Sequence, residues 1–520
     1  MPTPRAHGGA GLAHIPLNLP GFKGLNLQTR GALLGPEWAT RLENTVLDKI
    51  NRVAARKGYN ETTVTGWSTE NATQIAEYRT HSGTRHIIAV TDGDTLYAST
   101  DAGVTYSDVT NTATVTDTNM QFVNFNDSLY GIQDGGTVVV YAGTNFVDHA
   151  PAGITDGSAG LSAFGRLWIS DSNGHDIAYS ALLDATDFNG SDAGVISLEN
   201  VWDGTDVVVA MAEHNGALVV FGRRNIVVYT DGQGSALGID PLQMYVADTI
   251  SGIGCLARDT VQAVDGDLWF LSETGLVSLQ RLITQKSNPL SNLSSNIQDA
   301  LLDDTLSTTA TTIRSVYSPV DNLYLLSIPD GSGTTEIGKA YAFDTRGKLE
   351  DGSARCTGIW FNLVPMGLLR DENNEMVLSI RSAPGGTGKY DGFLDDTTEY
   401  VMDWESAWTD LGDPNLKILK RITGIFIVEQ DTDVLFKCAF DFQTGRGSTA
   451  AKNLGGGGLL SEYNIAEFGI GEYGGGIALR EKSVACSGTG EHIKIGLTSQ
   501  VKGELAIQQT AIYAKIGRLK

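Results

Sequence analysis

A phosphate-binding loop needs a glycine, four residues, then Gly-Lys-Ser/Thr, so that backbone N–H groups can wrap the phosphate. The nearest approach in this chain is Gly388-Lys389, but Tyr390 follows it and Ala383 stands where the first glycine is required. The Gly-x-Ser-x-Gly elbow of serine hydrolases, the His-Glu-x-x-His zinc motif and the EF-hand calcium loop do not occur. The eight histidines are scattered, and His214, in a turn, reads as simply solvated. Cys255, Cys356, Cys438 and Cys486 lie far apart, with no Cys-x-x-Cys or Cys/His ligand spacing, so no zinc site is expected. That usage suits a chain made in a reducing cytoplasm. Three acid pairs, Asp303-Asp304, Asp395-Asp396 and Asp171/Asp176, have the composition of a general acid–base or metal-binding pair. Among 61 acidic residues such pairs arise by chance, and each reads as solvated surface. No catalytic, cofactor-binding or metal-ligating residue is assigned, and the chain reads as a non-enzyme without a cofactor.

One motif does point toward an enzyme class. Ser99-Thr-Asp101-Ala-Gly103-Val-Thr105-Tyr106 resembles the Asp-box hairpin of sialidase-type propellers, with Tyr106 in place of the usual Trp. Its role is structural: the Asp and Ser tie a turn, and the glycine permits positive φ. Sialidase chemistry would also need arginines converging on the substrate carboxylate and a Tyr nucleophile with a carboxylate base. A glycan hydrolase is therefore the alternative, with a receptor- or glycan-binding propeller beside it.

The elements that would have to position any such site are mostly strands. The chain has 520 residues, 41% hydrophobic and 19% charged, with 62 glycines and 13 prolines. Glycines spread among Val, Ile, Thr, Tyr and Trp indicate many short strands joined by tight turns. The net charge of −24 is uneven. Residues 1–60 carry 8 basic and 3 acidic residues, residues 401–520 carry 13 and 14, and residues 61–400 carry 16 and 44. A surface that acidic repels the phosphate backbone and argues against a protein that wraps nucleic acid. Met1 to His14 holds no continuous apolar stretch, so no signal peptide is expected, and no run of about 18 apolar residues predicts a membrane span.

A turn followed by an aliphatic residue, usually with an aromatic after it, recurs through the middle. It occurs at Asp94-Thr-Leu96-Tyr97, Asp127-Ser-Leu129-Tyr130, Gly165-Arg-Leu167-Trp168, Asn215-Gly-Ala-Leu218-Val219, Asp265-Gly-Asp-Leu268-Trp269 and Asp321-Asn-Leu323-Tyr324. A weaker seventh copy is Asn374-Glu-Met-Val377-Leu378. The steps between the aliphatic positions are 33, 38, 51, 50, 55 and 54 residues, and the later ones approach a four-stranded propeller blade. Short β-branched runs between Asn-Gly, Asp-Gly and Gly-rich turns are hairpin signals. A β-sandwich would explain the strands but not six or seven similar copies. The expectation is an all-β chain: a β-propeller of six or seven blades at 61–398, an N-terminal basic arm at 1–60, and a C-terminal β-sandwich-like domain at 399–520. In the arm, Trp38, Leu42, Val46, Ile50 and Val53 fit an amphipathic helix from Glu37 to Lys57, and the same stretch fits two short strands around Leu47 to Ile50. Gly455–Gly458 and Gly474–Gly476 frame an exposed loop in the C-terminal domain.

Taken in order, three segments resemble the nozzle, or packaged-DNA stabilisation, proteins of short-tailed bacteriophages, the tail tubular protein B type. The first is Gly24-Leu-Asn-Leu-Gln-Thr-Arg30 with Leu34-Gly-Pro36, Ala39, Leu42-Glu-Asn44 and the basic-Gly turn Arg56-Lys-Gly58. The second is Leu218-Val-Val-Phe-Gly-Arg223 through Val228-Tyr229, and the third is Gly488-Thr-Gly-Glu491-His-Ile-Lys494 through Leu505-Ala-Ile507 to Gly517-Arg518. The similarity lies in the order of basic arm, propeller and β domain, and residues 1–20 match nothing in it. It implies an extended rather than helical arm and a structural subunit of the virion tail, a podovirus-type nozzle assembled in the bacterial cytoplasm. It further implies a homo-hexamer that joins a tail adaptor or portal ring, with tail fibres or spikes as further neighbours. Such a ring retains the packaged genome, opens at ejection, and passes viral DNA through an acidic lumen without specific binding. The basic arm is expected to dock onto an acidic neighbour.

Overall fold

The computed structural model describes residues 13–16, 22–49, 52–67, 70–154, 156–202, 204–231, 239–285, 292–309, 312–330, 337–381, 385–443, 447–448, 451–455 and 478–517. The expected glycine loop falls outside them apart from Gly455, as does most of residues 1–20. The chain divides into two compact units, Tyr59–Ala354 with Phe361–Tyr390, and Met1–Gly58 with Arg355–Trp360 and Asp391–Lys520.

The first unit is a β-propeller of seven small antiparallel sheets. The first four sheets are each a four-stranded meander. They comprise Ala72–Arg79, Arg85–Thr91, Leu96–Ser99 and Ser107–Asp108; Gln121–Phe125, Ser128–Ile132, Val138–Tyr141 and Phe146–His149; Gly160–Ala163, Arg166–Ser170, Asp176–Tyr179 and Gly194–Ser197; and Val208–His214, Ala217–Gly222, Asn225–Asp231 and Met244–Ser251. The fifth has three strands, Gln262–Val264, Asp267–Ser272 and Gly275–Ser278, followed by helices Leu279–Gln285 and Gln298–Leu306. The sixth contributes Arg314–Ser318, Leu323–Pro329 and Gly338–Lys348. The seventh joins Leu368–Arg370, Met376–Ile380 and Gly386–Lys389 to Asn60–Glu61, so the start of the unit closes the ring on its last sheet.

The repeated motif is the turn between the first and second strands of a sheet, plus the start of the second strand. The turn residues carry consecutive positive φ values: Asn126 45° and Asp127 59°, Phe164 56° and Gly165 69°, Asn215 51° and Gly216 74°, Asp265 48° and Gly266 81°. Two such residues in a row make the type I′ turn that matches strand twist, which is why Asn, Asp and Gly recur there. The aliphatic residue behind the turn is buried in every sheet from the second to the seventh: Leu129, Leu167, Leu218, Leu268, Leu323 and Val377. In the first sheet the Asp94 copy of the motif lies one hairpin later than in the others. Asp94 to Leu96 is the turn into the third strand, and the position equivalent to Leu129 by pairing register is His86. His86 is buried, with Nδ1 2.9 Å from the Tyr141 hydroxyl. Counted from His86, the first step becomes 43 residues, in line with the others.

The core lies between neighbouring sheets. Tyr78, Ile88 and Leu96 of the first pack on Leu129, Val139 and Phe146 of the second. Trp168, Ile177 and Tyr179 of the third pack on Leu218, Val220 and Val227 of the fourth. Val219, Phe221 and Ile226 of the fourth also pack on Leu268, Phe270 and Val277 of the fifth. A fully buried side chain of this size contributes about 1.5–3 kcal/mol. A sheet apolar on both faces needs a neighbour on each side, and a closed ring supplies one.

The second unit is two facing sheets. One orders Ala478–Gly490, Lys417–Val428, Leu505–Ile516, Arg52–Ala55 and Thr45–Lys49, with Ala13–Pro16 also on Leu505–Ile516. The other orders Trp38–Glu43, Tyr400–Ser406, Ile493–Val501 and Asp433–Phe440. Phe426 and Phe436 meet edge to face across them at 6.1 Å. Residues 38–43, 45–49 and 52–55 are therefore strand, not the helix their four-residue spacing also fitted, and they pair with C-terminal strands instead of forming a separate arm. The domain boundaries shift accordingly, since residues 22–49 and 52–58 share a body with 391–517. The basic-Gly turn is locked inside this body. The Arg56 guanidinium binds Asp395 through two 2.7 Å hydrogen bonds, donates to Asn44 Oδ1 at 3.2 Å, and lies 3.9 Å over the Tyr400 ring. A Cβ on Gly58 would run into the Leu394 carbonyl, so only glycine fits beside it.

Candidate functional site

The propeller axis holds a cavity of about 1140 Å³ lined by the innermost strands of all seven sheets. Innermost strands run side by side along an axis, so residues that precede them gather at one end and residues that follow them at the other.

At the entry end a polar plug crosses the axis. Arg258, before the fifth sheet, donates Nη1 to the Ser158 carbonyl at 2.8 Å and Nη2 to the Asn119 carbonyl, which precede the third and second sheets. Its Nε binds Asp259 at 3.1 Å. Arg314, at the start of the sixth sheet, binds Asp259 at 3.1 Å and donates Nη2 to Asn119 Oδ1 at 3.1 Å. The second sheet is thus bolted to the fifth and sixth on the far side of the ring. Burial alone would raise the Asp259 carboxyl, but Arg258 and Arg314 outweigh it and hold it below its ordinary value. Burial lowers Arg314, opposed by Asp259. Two guanidiniums sharing one carboxylate with two main-chain carbonyls form a brace, because their donors point into the protein.

At the exit end the cavity mouth carries Glu77, Arg79, Asp127, Glu213, Arg370, Asp371 and Glu372. Arg79 pairs with Glu372 at 2.6 Å, and Arg85 bridges Glu77 at 2.6 Å and Asp371 at 3.0 Å, which ties the first sheet to the seventh. Asp127 accepts from the His81 N–H at 2.5 Å, and Glu213 is exposed. With Arg85 counted, the rim holds five carboxylates against three guanidiniums and stays acidic on balance.

The Asp-box folds as expected of a structural turn. Asp101 Oδ1 accepts from Ser99 Oγ at 2.7 Å and from the N–H groups of Val104 and Thr105 at 3.1 and 2.9 Å, and Oδ2 accepts from Thr105 Oγ1 at 2.6 Å. The Thr105 hydroxyl and amide lead in holding this carboxyl down at about 2. Tyr106, where the pattern has Trp, places its hydroxyl 2.9 Å from Thr387 Oγ1 on the seventh sheet and so fastens the closing seam. Because the carboxylate is bound in the folded chain, its contribution is present above the unfolded value near 4 and is lost as pH falls toward 2. Asp101→Asn is expected to lower Tm at pH 7 by only about 1–2 °C, since the group is exposed and screened. The gap to the wild type should vanish in melts near pH 2, and a gap unchanged by pH would contradict this role.

The acid pairs separate. Asp395 is buried on Arg56 rather than solvated, as read from the sequence, while Asp396 is exposed. Asp304 binds Lys339 at 2.8 Å and the Tyr341 hydroxyl, while Asp303 is exposed. Asp171 accepts turn N–H groups from His175 and Asp176, both at 3.0 Å. Among the described residues no three His, Cys, Asp or Glu side chains come together as a metal-binding group, and no helix is long and apolar enough to cross a membrane. The cavity plug was invisible in the sequence, because Asn119, Ser158, Arg258 and Arg314 span almost 200 residues.

No family model and no curated protein matches the chain. Among solved structures, a computationally designed Ika8 protein matches 64% of this chain and 99% of its own at 12% identity and a TM-score of 0.36. BamB from Moraxella catarrhalis matches 61% and 84% at 10% identity and a TM-score of 0.34, and YCF48 bound to D1 peptide matches 64% and 95% at 12% and 0.33. At such scores neither activity nor partners transfer, and the propeller stands on its own seven sheets.

Proposed function

We propose that this chain is a non-enzymatic structural subunit of a short phage tail, of the nozzle type, with six copies forming the ring through which packaged DNA leaves. The observation that carries this reading is where the charge sits. The propeller unit has 15 basic and 40 acidic residues, a net of −25, whereas the other unit has 22 and 21, a net of +1. DNA slides along an acidic wall because no phosphate is neutralised there, whereas a basic wall would hold many phosphates at once. Because the brace crosses the axis of a single propeller, this reading requires the DNA path to run between copies. The order of segments along the chain, similar to that of nozzle proteins, supports the same reading. The glycan hydrolase alternative draws little support from the cavity: of its four arginines, Arg258 and Arg314 are engaged by Asp259, Asn119 and Ser158, Arg79 pairs with Glu372, and Arg370 lies over the Tyr317 ring.

The test is assembly. Purified chain, alone and mixed with a portal-type or adaptor ring, should give six-fold rings in negative stain, with a lumen that shows no salt-dependent DNA retention. A chain that stays monomeric at micromolar concentration with those rings present, and binds glycans on an array, would replace this reading with the receptor-binding one.

A further inference from the structure

Two cysteines 48 positions apart are brought together in the two-sheet unit. Cys438 lies on Asp433–Phe440, and Cys486 lies on Ala478–Gly490, an outer strand of the facing sheet. Both side chains point inward and are buried. Two residues further along each strand, Phe440 and Gly488 are in contact: a Cβ on Gly488 would run into the Phe440 ring. The same separation of 48 residues relates Cys438 to Cys486, which puts both thiols at this crossing of the two strands, where each shifts the other's titration.

We infer that Cys438 and Cys486 are a redox-responsive pair, present as thiols in the reduced chain and closed to a disulfide by exchange with a small-molecule disulfide such as oxidised glutathione.

The pair is set apart from the other two cysteines. Cys255 donates to the Ala257 carbonyl at 3.1 Å and Cys356 to the Gly358 carbonyl at 3.8 Å, and burial pushes both thiols up to about 12, so neither supplies thiolate near neutral pH. The neighbouring thiol lowers Cys438 and raises Cys486, so the pair gives up its first proton more readily than an isolated buried thiol. Either sulfur of the pair can attack first, and the exchange balances in the same way from Cys438. Its thiolate bonds to one sulfur of oxidised glutathione and expels one glutathione thiolate, leaving a mixed disulfide. The Cys486 thiolate then bonds to the Cys438 sulfur and expels the second. Two cysteine thiols are oxidised, one glutathione disulfide is reduced to two glutathiones, and the two cysteine protons end on them. Burial makes the exchange slow, since the strand edge must open for the oxidant to enter. The bond closes a loop over the 47 intervening residues, which constrains the unfolded chain and raises stability.

The experiment uses the full chain, first reduced and then held in millimolar oxidised glutathione. Thiol titration after denaturation should fall from four to two, with a non-reducing peptide map joining the Cys438 and Cys486 peptides. The oxidised chain should melt about 5–10 °C above the reduced one. That shift should be absent in Cys438→Ala and in Cys486→Ala, while Cys255→Ala keeps it. Four titratable thiols after prolonged oxidation, a glutathione adduct on Cys438 that never resolves, or a shift that survives in either pair variant would each overturn the inference. If an alanine variant does not fold, the peptide map of the wild type decides alone.

Discussion

Asp395→Ala is expected to cost the two-sheet unit roughly 3–5 kcal/mol, the range for removing one member of a buried ion pair. Arg56 is fully buried, and Asp395 takes both of its terminal nitrogens. Without that carboxylate the guanidinium keeps Asn44, the Lys57 carbonyl and the Tyr400 ring, but its charge is uncompensated in a place water does not reach. Arg56→Lys should be nearly as damaging, because an ammonium can neither form the two-pronged contact nor stack on Tyr400. Replacing both partners, Arg56→Met with Asp395→Leu, should recover much of the loss. Urea midpoints for the two single variants and the double variant decide this. A double variant as weak as the sum of the singles would show that the pair is not acting as one unit.

The plug across the propeller predicts the second large effect. Asp259→Ala leaves Arg258 and Arg314 as two like charges at the closed end of the cavity, at a cost of about 3 kcal/mol. The figure is at the low end because Asp259 keeps 14% of its side chain exposed in the cavity. Since its carboxyl is held below the ordinary value, the stabilisation is complete above about pH 4 and fades as pH falls through the folded value. Wild type and Asp259→Ala should therefore unfold at separate midpoints at pH 7 and converge in strong acid. Equal midpoints at pH 7 would mean that the plug only fills space.

How much of this was readable in advance depends on whether the cause was local. The turn-plus-leucine repeat was readable because its cause sits in adjacent residues: positive φ selects Asn, Asp and Gly, and the next inward position selects Leu. The first sheet was mis-phased because His86, satisfied by Tyr141, holds the place of that leucine. The helix and strand readings of 38–55 could not be separated because a spacing of four is close to one helical turn and is also an even number, which keeps residues on one face of a strand. The pairing of that stretch with strands from the far end of the chain decides it. Counting residues 1–60 as a basic arm treated Arg56 as surface charge, although its partner lies 339 positions away. The Arg258 plug and the Cys438–Cys486 contact join distant segments whose local sequences carry no sign of each other.

The seventh sheet also governs when the propeller can come into being. Asn60–Glu61 finds its partner only in Gly386–Lys389, more than 300 residues downstream. At roughly 5–20 residues per second on the ribosome, the earliest sheet waits on the order of 15–65 s for its neighbour to be synthesised. During that interval Trp67, Ile75 and Ile87 have nothing from Val377 to cover them. A nascent chain of this design therefore spends its synthesis with one apolar flank open, a target for chaperones and for the same flank on a neighbouring ribosome's product.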